Sequence, residues 1–246
     1  MRTILLGAFA VLLVPSVLAG EQQSPHWGYQ GEHGPAQWAQ LEPGFSTCAL
    51  GQLQSPIDIR NAVKADLPEI DFAYRAGPAE VLNNGHTVQV NLPAAGGIAI
   101  AGANYALLQF HFHTPSEERI AGMAWPMVAH LVHKSAQGQL AVVAVLFKEG
   151  AVNAALAPVF ANLPAAGKSQ ALADRFDPSQ ILPDKRGYYA YQGSLTTPPC
   201  SEQVRWQVLK QPLELSAEQM AAFRQLYPMN ARPVQPLNGR DVLESR

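Results

Sequence analysis

The sequence contains little cysteine, little net charge and few long apolar runs. Among its 246 residues there are two cysteines, and the formal net charge is −2. The 17 lysines and arginines are scattered, so the basic cluster typical of nucleic-acid-binding proteins is missing. The sequence also has no internal repeat, no low-complexity linker and no block of like charges. These absences disfavour a nucleic-acid partner and favour one folded domain over several.

The one long apolar run lies at the amino terminus. It extends from Ile4 to Leu18 and follows the positive charge of Arg2. This run is short for a membrane span, which needs about 20 residues, although a membrane anchor is the alternative. Small residues around Ala19 match the end of a secretory signal peptide. We therefore expect a signal peptide at 1–19, one domain at 20–246, and a periplasmic or secreted protein.

The two cysteines, Cys48 and Cys200, are far apart in the sequence. In an exported protein the simplest use of two cysteines is one disulfide bond. Such a bond would close a loop of about 150 residues, for which the chain-entropy model gives roughly 5 kcal/mol of stabilisation. The alternative is a pair of separate buried thiols.

Proline and glycine are frequent, with 20 and 19 residues spread along the chain, and strongly helical stretches are few. This pattern predicts short strands separated by loops. The best helix candidate is Ala217–Tyr227, where Ser216 and Gln219 match a capping box. A weaker helix candidate covers residues 153–163 and is interrupted by Pro158.

Three predicted strands lie in the middle of the chain, at 106–113, 127–134 and 140–147. Side chains alternate between the two faces of a strand. On the first strand this alternation predicts one face with Leu107, Gln109, His111 and His113, and the opposite face with Leu108, Phe110 and Phe112. On the second strand it places together Val128, His130 and Val132. The third strand is apolar on both faces, as expected for a buried central strand.

Three of these residues are histidines that can share a metal ion. His111 and His113 project from the same side of one strand, and His130 lies on the next strand. Zinc favours imidazole nitrogen, and a catalytic zinc site with three protein ligands keeps its fourth position open. The pattern therefore favours a zinc site, with ordinary surface or core histidines as the alternative.

Several segments resemble those of α-class carbonic anhydrases, and they occur in the same order. They are His26–Tyr29, Gln54–Ile59, Asn83–His86, Gln109–Glu117, Ala129–His133, Gly193–Cys200 and Asn230–Leu237. The resemblance covers nearly all of the chain after the expected signal peptide. It implies a single β-rich α+β domain with a large twisted, mainly antiparallel central sheet and a few short peripheral helices. It also implies a zinc ion at the bottom of a conical cleft.

The resemblance implies reversible hydration of carbon dioxide to bicarbonate and a proton. The three histidines would bind zinc, which lowers the pKa of its water to about 7 and yields hydroxide. Thr196 would accept a hydrogen bond from the hydroxide and donate one to Glu117. His86 corresponds to the family's shuttle histidine, and an imidazole that titrates near pH 6.5 suits proton transfer to solvent.

Further residues implied by the resemblance line the substrate pocket and the proton path. An apolar pocket for carbon dioxide would comprise Val132, Val142, Leu195 and Trp206, with Thr197 beside the bicarbonate. Waters along the proton path would be held by Tyr29, Asn84 and Gln89. His133 would be structural, because strand alternation turns it away from His130. Sulfonamides and small anions are expected inhibitors, and the protein would be a monomer or a homodimer.

The chain departs from the family pattern beside the third histidine. The resemblance implies that Gln109 serves the second ring nitrogen of His111, and that a backbone carbonyl near Asn230 serves that of His113. The family's third histidine is served by a glutamate two residues earlier, but here that position is Val128. Loss of such a partner typically costs about 10–100-fold in metal affinity or activity. We therefore expect weaker zinc binding, unless water or another side chain takes this role, and tighter binding in Val128→Glu.

Two other functions fit parts of the pattern. His111, His113 and Glu117 also match the first metal motif of cupin barrels, in which Glu117 would itself bind iron or manganese. A cupin leaves the segment Leu195–Pro199 unexplained. The second alternative is a catalytically silent binding protein on the same scaffold, which only Val128 favours because all three histidines are present.

Overall fold

The structure is a computed structural model that describes residues 27–246. The expected signal peptide at 1–19 and His26 of the first family segment lie outside the described residues. No helix within residues 27–246 is long and apolar enough to cross a membrane.

Short strands dominate the described residues, as the spacing of proline and glycine predicts. The strands are β1 (Asp58–Ile59), β2 (Val63–Ala65), β3 (Ile70–Tyr74), β4 (Glu80–Asn83), β5 (Val88–Asn91), β6 (Gly96–Ile100), β7 (Ala103–His113), β8 (Arg119–Ile120), β9 (Met123–Ala124), β10 (Met127–Lys134), β11 (Leu140–Glu149), β12 (Ser169–Ala171), β13 (Tyr188–Ser194), β14 (Glu202–Leu209), β15 (Leu213–Leu215) and β16 (Leu243–Ser245). The α-helices are α1 (Trp38–Leu41), α2 (Thr47–Leu50), α3 (Ala157–Phe160) and α4 (Ala217–Leu226). Short 3-10 helices cover Gly31–His33, Pro43–Phe45 and Pro178–Ile181.

Within residues 27–246, thirteen strands form one large sheet. Its main order is β12-β4-β5-β7-β10-β11-β14-β13-β16-β2, while β6 joins β3 to β7 and β15 pairs with β11. Most neighbours are antiparallel, and the parallel pairs are β11–β14, β11–β15 and β16–β2. A second, three-stranded sheet contains β1, β8 and β9. The expected β-rich α+β fold with a mainly antiparallel sheet is confirmed.

Apolar clusters cover both faces of the large sheet, and β11 contributes to both. Ala141, Val143 and Val145 point into the larger cluster, which includes residues of α3 and α4. Val142 and Ala144 point into a smaller cluster on the opposite face. The strand is therefore buried on both sides, as its continuous apolar sequence predicts.

A β-bulge at Leu108 changes the predicted faces of β7. In the register with β10, Gln109 lies opposite Val132 but Leu107 lies opposite His133, so Leu108 is the extra residue. Leu107 is buried in the larger cluster, whereas Leu108 is 44% exposed. The prediction that Leu107 shares the histidine face is therefore wrong, because the extra residue reverses the alternation before Gln109.

The two predicted helices, which correspond to α3 and α4, are both shorter than the sequence pattern suggests. α4 begins with the predicted capping box, in which Ser216 Oγ accepts from the Gln219 N–H at 3.2 Å and Gln219 Oε1 accepts from the Ser216 N–H at 3.2 Å. The weaker candidate at 153–163 forms only α3, since Pro158 stands in its first turn.

His133 is buried on the face of β10 opposite to His130, in agreement with the alternation. Its Nε2 lies 2.7 Å from the Tyr74 hydroxyl, and its Nδ1 lies 3.3 Å from the carbonyl oxygen of Ala141. Burial lowers the pKa of His133 to about 4, against smaller opposing effects of backbone hydrogen bonds. The ring is therefore neutral in the folded protein at pH 7.

This buried imidazole predicts a loss of stability in mild acid. An unfolded histidine titrates at about 6.5, so between pH 6.5 and about 4 the unfolded chain binds more protons than the folded one. The contribution of His133 to the free energy of unfolding is complete above pH 6.5 and is lost as the pH falls towards 4. The loss reaches up to about 3 kcal/mol, since each pKa unit between the folded and unfolded values corresponds to about 1.36 kcal/mol. Urea unfolding of wild type and His133→Gln from pH 7.5 to 5 measures this. The wild-type free energy should fall more steeply, and equal slopes would contradict the assignment.

Candidate metal centre

Two antiparallel strands bring the three predicted histidines to one point. In the register of β7 with β10, His111 lies directly opposite His130, and His113 lies opposite Val128. Cross-strand partners in such pairs are about 5 Å apart, within reach of a shared ligand. The bulge at Leu108 lies before this segment, so Gln109 and the two histidines of β7 stay on the same face.

One ring nitrogen from each histidine points towards the same space. These candidate ligand atoms all lie within 4.8 Å of one another. His113 and His130 are each 1% exposed, while His111 retains partial contact with solvent. Burial, reinforced by the neighbouring imidazoles, lowers the pKa of His113 well below its ordinary value. A neutral ring offers the lone pair that a metal requires.

The second ring nitrogens of His111 and His113 have the partners that the resemblance implies. His111 Nδ1 lies 2.9 Å from Gln109 Oε1, and His113 Nδ1 lies 2.7 Å from the carbonyl oxygen of Asn230. Both rings therefore present Nε2 to the shared space. His113 Nε2 is buried and has no hydrogen-bond partner within the described residues, as expected for a metal ligand.

His130 has a partner that the sequence reasoning missed. Its Nε2 lies 2.8 Å from Glu118 Oε1, and this leaves Nδ1 for the shared space. Burial lowers the pKa of His130, but the charge of Glu118, its hydrogen bond and the charge of Glu117 outweigh burial and raise it. Val128 is fully buried in the smaller apolar cluster. The signal in the sequence was a second carboxylate directly after Glu117, which strand alternation alone does not assign.

The carboxylate of Glu117 lies close to two of the histidines but is not part of the converging group of ligand atoms. Its Oε2 is 3.6 Å from His113 Nε2 and 3.8 Å from His130 Nδ1. Oε1 accepts a hydrogen bond from the backbone N–H of Arg232 at 2.8 Å, whereas Oε2 makes none within the described residues. Burial raises the pKa of Glu117 to about 7, although the charge of His130 and, to a smaller extent, the Thr196 hydroxyl act to lower it.

Arg232 is a second residue that the sequence reasoning missed, although it lies inside a family segment. Its guanidinium donates to Gln54 Oε1 at 2.9 Å and to the carbonyl oxygens of Ser55 at 2.8 Å and Cys48 at 2.9 Å. Burial lowers the pKa of Arg232 to about 10, against the opposing charge of Glu117. These contacts hold the backbone that donates to Glu117.

The expected apolar pocket residues lie together beside His130. The smaller apolar cluster contains Val132, Val142 and Trp206, with Leu195 packed against it. The rings of Trp206 and His130 meet edge to face with centroids 4.8 Å apart. Trp206 Nε1 donates to the carbonyl oxygen of Ser194 at 3.0 Å, which attaches the loop carrying Thr196 and Thr197 to this wall.

The expected proton-path residues extend from His111 towards the surface. Gln89 on β5 pairs directly with His111 on β7, and Asn84 Nδ2 lies 3.4 Å from Gln89 Oε1. Asn84 Oδ1 also accepts from the backbone N–H of His86 at 3.0 Å. The ring of His86 stacks on Trp27 with centroids 3.6 Å apart, a contact that the sequence did not suggest.

Tyr29 belongs to the same aromatic group. Its ring meets Trp27 edge to face, with centroids 5.6 Å apart. Its hydroxyl is buried without a hydrogen-bond partner in the described residues, and burial, with the charge of Glu117, raises its pKa well above the ordinary value.

The two cysteines form a disulfide bond, so the alternative of two free thiols is excluded. The bridge joins Cys48 and Cys200 across 152 residues. Both residues pack in a small cluster with Trp38. Cys200 follows the loop that carries Thr196, and its N–H donates to the carbonyl oxygen of Thr197 at 2.8 Å.

The donor set fits zinc. Three converging imidazole nitrogens, each ring oriented by an acceptor on its other nitrogen, are typical of a zinc centre with one open position. A cupin site would require Glu117 as a ligand. The group of converging ligand atoms contains the three histidines and does not include Glu117. Fold and site together define a β-rich protein of the three-histidine zinc-enzyme type.

Comparison with known proteins gives the family. Residues 33–246 match the family model for eukaryotic-type carbonic anhydrase. A carbonic anhydrase of Pectobacterium atrosepticum is 42% identical over 96% of this chain and 99% of its own, and one of Klebsiella pneumoniae is 44% identical over 96% and 97%. The solved α-carbonic anhydrase of Thermovibrio ammonificans, in complex with sulfanilamide, is 45% identical with a TM-score of 0.88 over 90% of this chain and 100% of its own. The chain belongs to the α-carbonic anhydrase family of enzymes.

Proposed function

We propose that this protein catalyses the reversible hydration of carbon dioxide to bicarbonate and a proton, with zinc held by His111, His113 and His130. The convergence of their three ring nitrogens within 4.8 Å carries this proposal. A bound zinc ion supplies the Lewis acidity that lowers the pKa of water to about 7 and so provides a nucleophile at neutral pH. The remaining chemistry falls to side chains around the site.

Thr196 and Glu117 orient the nucleophile. Glu117 Oε1 is occupied by the N–H of Arg232, so Oε2 is left to accept from the Thr196 hydroxyl. When that hydroxyl donates to Glu117, its oxygen can only accept a hydrogen bond. Thr196 therefore selects a nucleophile that carries a proton and turns its lone pair towards the substrate.

Carbon dioxide has no net dipole, so an apolar wall beside the nucleophile suits it. Val132, Val142, Leu195 and Trp206 form this wall. Thr197, two residues after Leu195, would contact bicarbonate. The polar product has little to bind on the wall, which favours its release.

The proton leaves by way of His86. Gln89 is adjacent to His111, and Asn84 connects Gln89 with the backbone of His86. Together with Tyr29 these side chains position water molecules between the site and the imidazole. The His86 ring, partly exposed to solvent, then passes the proton to buffer.

We also propose that residues 1–19 form a cleaved signal peptide and that the domain at 20–246 is periplasmic or secreted. The disulfide between Cys48 and Cys200 supports an oxidising compartment. Sulfonamides and small anions are proposed as inhibitors, since they would compete for the open position of the metal.

The test is stopped-flow hydration of carbon dioxide by zinc-loaded, chelator-treated and zinc-reconstituted protein. We expect kcat/KM in the range of about 10⁴–10⁸ M⁻¹ s⁻¹ for the loaded protein, loss after chelation and recovery with zinc. Zinc binding without hydration would identify a silent binding protein. Activity restored by iron or manganese but not zinc would also overturn the proposal.

A further inference from the structure

We infer that Glu118 is the positioning residue for His130, the third zinc ligand. In this chain the carboxylate comes from the loop between β7 and β8, whereas the family pattern has a glutamate at position 128, in β10. The inference rests on the proposed zinc site and concerns how that site is held. It also replaces the expectation of weak zinc binding, which assumed that His130 lacks an acceptor.

The geometry at His130 carries the inference. Glu118 Oε1 lies 2.8 Å from His130 Nε2, a normal distance for a charge-assisted hydrogen bond. The side chains of Glu118 and His130 are 0% and 2% exposed, so water does not compete for this contact. The bond fixes the proton on Nε2 and aims Nδ1 at the space shared with His111 and His113.

The backbone around Glu118 is held on both sides, which makes its carboxylate a rigid partner. The carbonyl oxygen of Glu118 accepts from Ser116 Oγ at 2.7 Å, and Ser116 Oγ in turn accepts from the N–H of Trp125 at 2.9 Å. On the other side, the N–H of Arg119 donates to the carbonyl oxygen of Ile57 at 3.2 Å. β8 then continues in parallel pairing with β1.

Val128 and Glu118 have complementary roles on this face. Val128 is fully buried in the smaller apolar cluster, which also contains Ile57 and Ile59. A glutamate at 128 would place a second carboxylate near a single imidazole nitrogen that is already occupied. One of the two charges would then be buried without a partner, which is strongly unfavourable. Glu118 therefore supplies the carboxylate, and the apolar Val128 occupies the position of the family's glutamate.

The experiment compares zinc affinity, by competition with a chelator, in wild type and five purified variants, four single and one double. Glu118→Ala removes both the acceptor and the charge and should lower zinc affinity about 100-fold. Glu118→Gln keeps an acceptor and should lower zinc affinity about 10-fold. Val128→Glu alone should not tighten zinc binding, and it should lower the urea midpoint of the metal-free protein. Glu202→Gln is the matched control: this carboxylate accepts from Leu53 and Gln54, and its loss should leave zinc affinity unchanged.

A double variant that moves the carboxylate from position 118 to position 128 tests whether Glu118 positions His130 or only packs against it. The double variant Glu118→Ala/Val128→Glu exchanges a large and a small side chain and returns an acceptor to His130. It should recover most of the zinc affinity lost in Glu118→Ala. If Glu118 only stabilised the fold, the metal-free and zinc-loaded forms of Glu118→Ala would lose equal stability, and the double variant would not recover.

A second measurement reads the His130 ring directly. In long-range ¹H–¹⁵N spectra of zinc-loaded wild type, His130 should carry its proton on Nε2, with a signal that shifts in Glu118→Gln. An unchanged signal, or wild-type zinc affinity in Glu118→Ala, would overturn the inference and leave the proposed function intact. Failure of wild type itself to bind zinc would refute the proposed function instead.

Discussion

Replacing His113 with alanine should abolish stoichiometric zinc binding and reduce carbon dioxide hydration to the uncatalysed rate. His113 is 1% exposed, and its Nε2 has no hydrogen-bond partner within the described residues, so its imidazole supplies a buried ligand atom that alanine lacks. Water away from a metal has a pKa far above 7, so the ionised fraction of the nucleophile at pH 7 falls by many orders of magnitude. Zinc content by atomic absorption and stopped-flow hydration measure the two effects.

Two further variants make this result specific. His111→Ala removes a less buried ligand and should give the same two losses with less damage to the core. His33→Ala removes an exposed histidine on a short 3-10 helix and should keep both zinc and activity. Far-ultraviolet circular dichroism of the metal-free proteins confirms folding. Stoichiometric zinc in folded His113→Ala would remove the central premise of the proposed function.

The metal centre could be predicted from the sequence because it depends on local rules. Period-two alternation predicts that His111 and His113 share one face, and the structure adds that β10 is the antiparallel neighbour of β7. The acceptors Gln109 and Asn230 came from the family resemblance, and both make the expected contacts. Residues whose roles follow from alternation and from family position were therefore accessible.

The features that escaped prediction depend on register and on loops. The bulge at Leu108 reverses the alternation, and nothing in the residue types of β7 marks the extra residue. Glu118 lies in a turn before a two-residue strand, where no periodicity indicates side-chain direction. Its contact with His130 spans two elements that only the folded chain brings together. A substitution such as Val128 therefore cannot be interpreted at its own position alone.

Removing the disulfide should strongly lower the stability of the fold. The bridge closes a loop of 152 residues, for which the chain-entropy model gives roughly 5 kcal/mol. For a protein of this size that loss lowers Tm by about 10–20 °C. Calorimetry of wild type, reduced wild type and Cys48→Ala/Cys200→Ala measures it. The reduced protein and the double variant should have the same Tm. A decrease of only a few degrees in both would show that the unfolded chain gains little conformational entropy when the bridge is absent.

Loss of the disulfide should also reduce hydration more than it reduces zinc affinity. The zinc ligands lie on β7 and β10, which the sheet holds independently of the bridge. Cys200 instead closes the turn after Thr197, and the carbonyl oxygen of Cys48 accepts from Arg232, whose N–H donates to Glu117. The bridge therefore joins the two segments that orient Thr196 and its acceptor. Below the unfolding transition we expect the double variant to keep stoichiometric zinc while kcat/KM for hydration falls. Parallel loss of zinc and activity would show instead that the bridge supports the whole site.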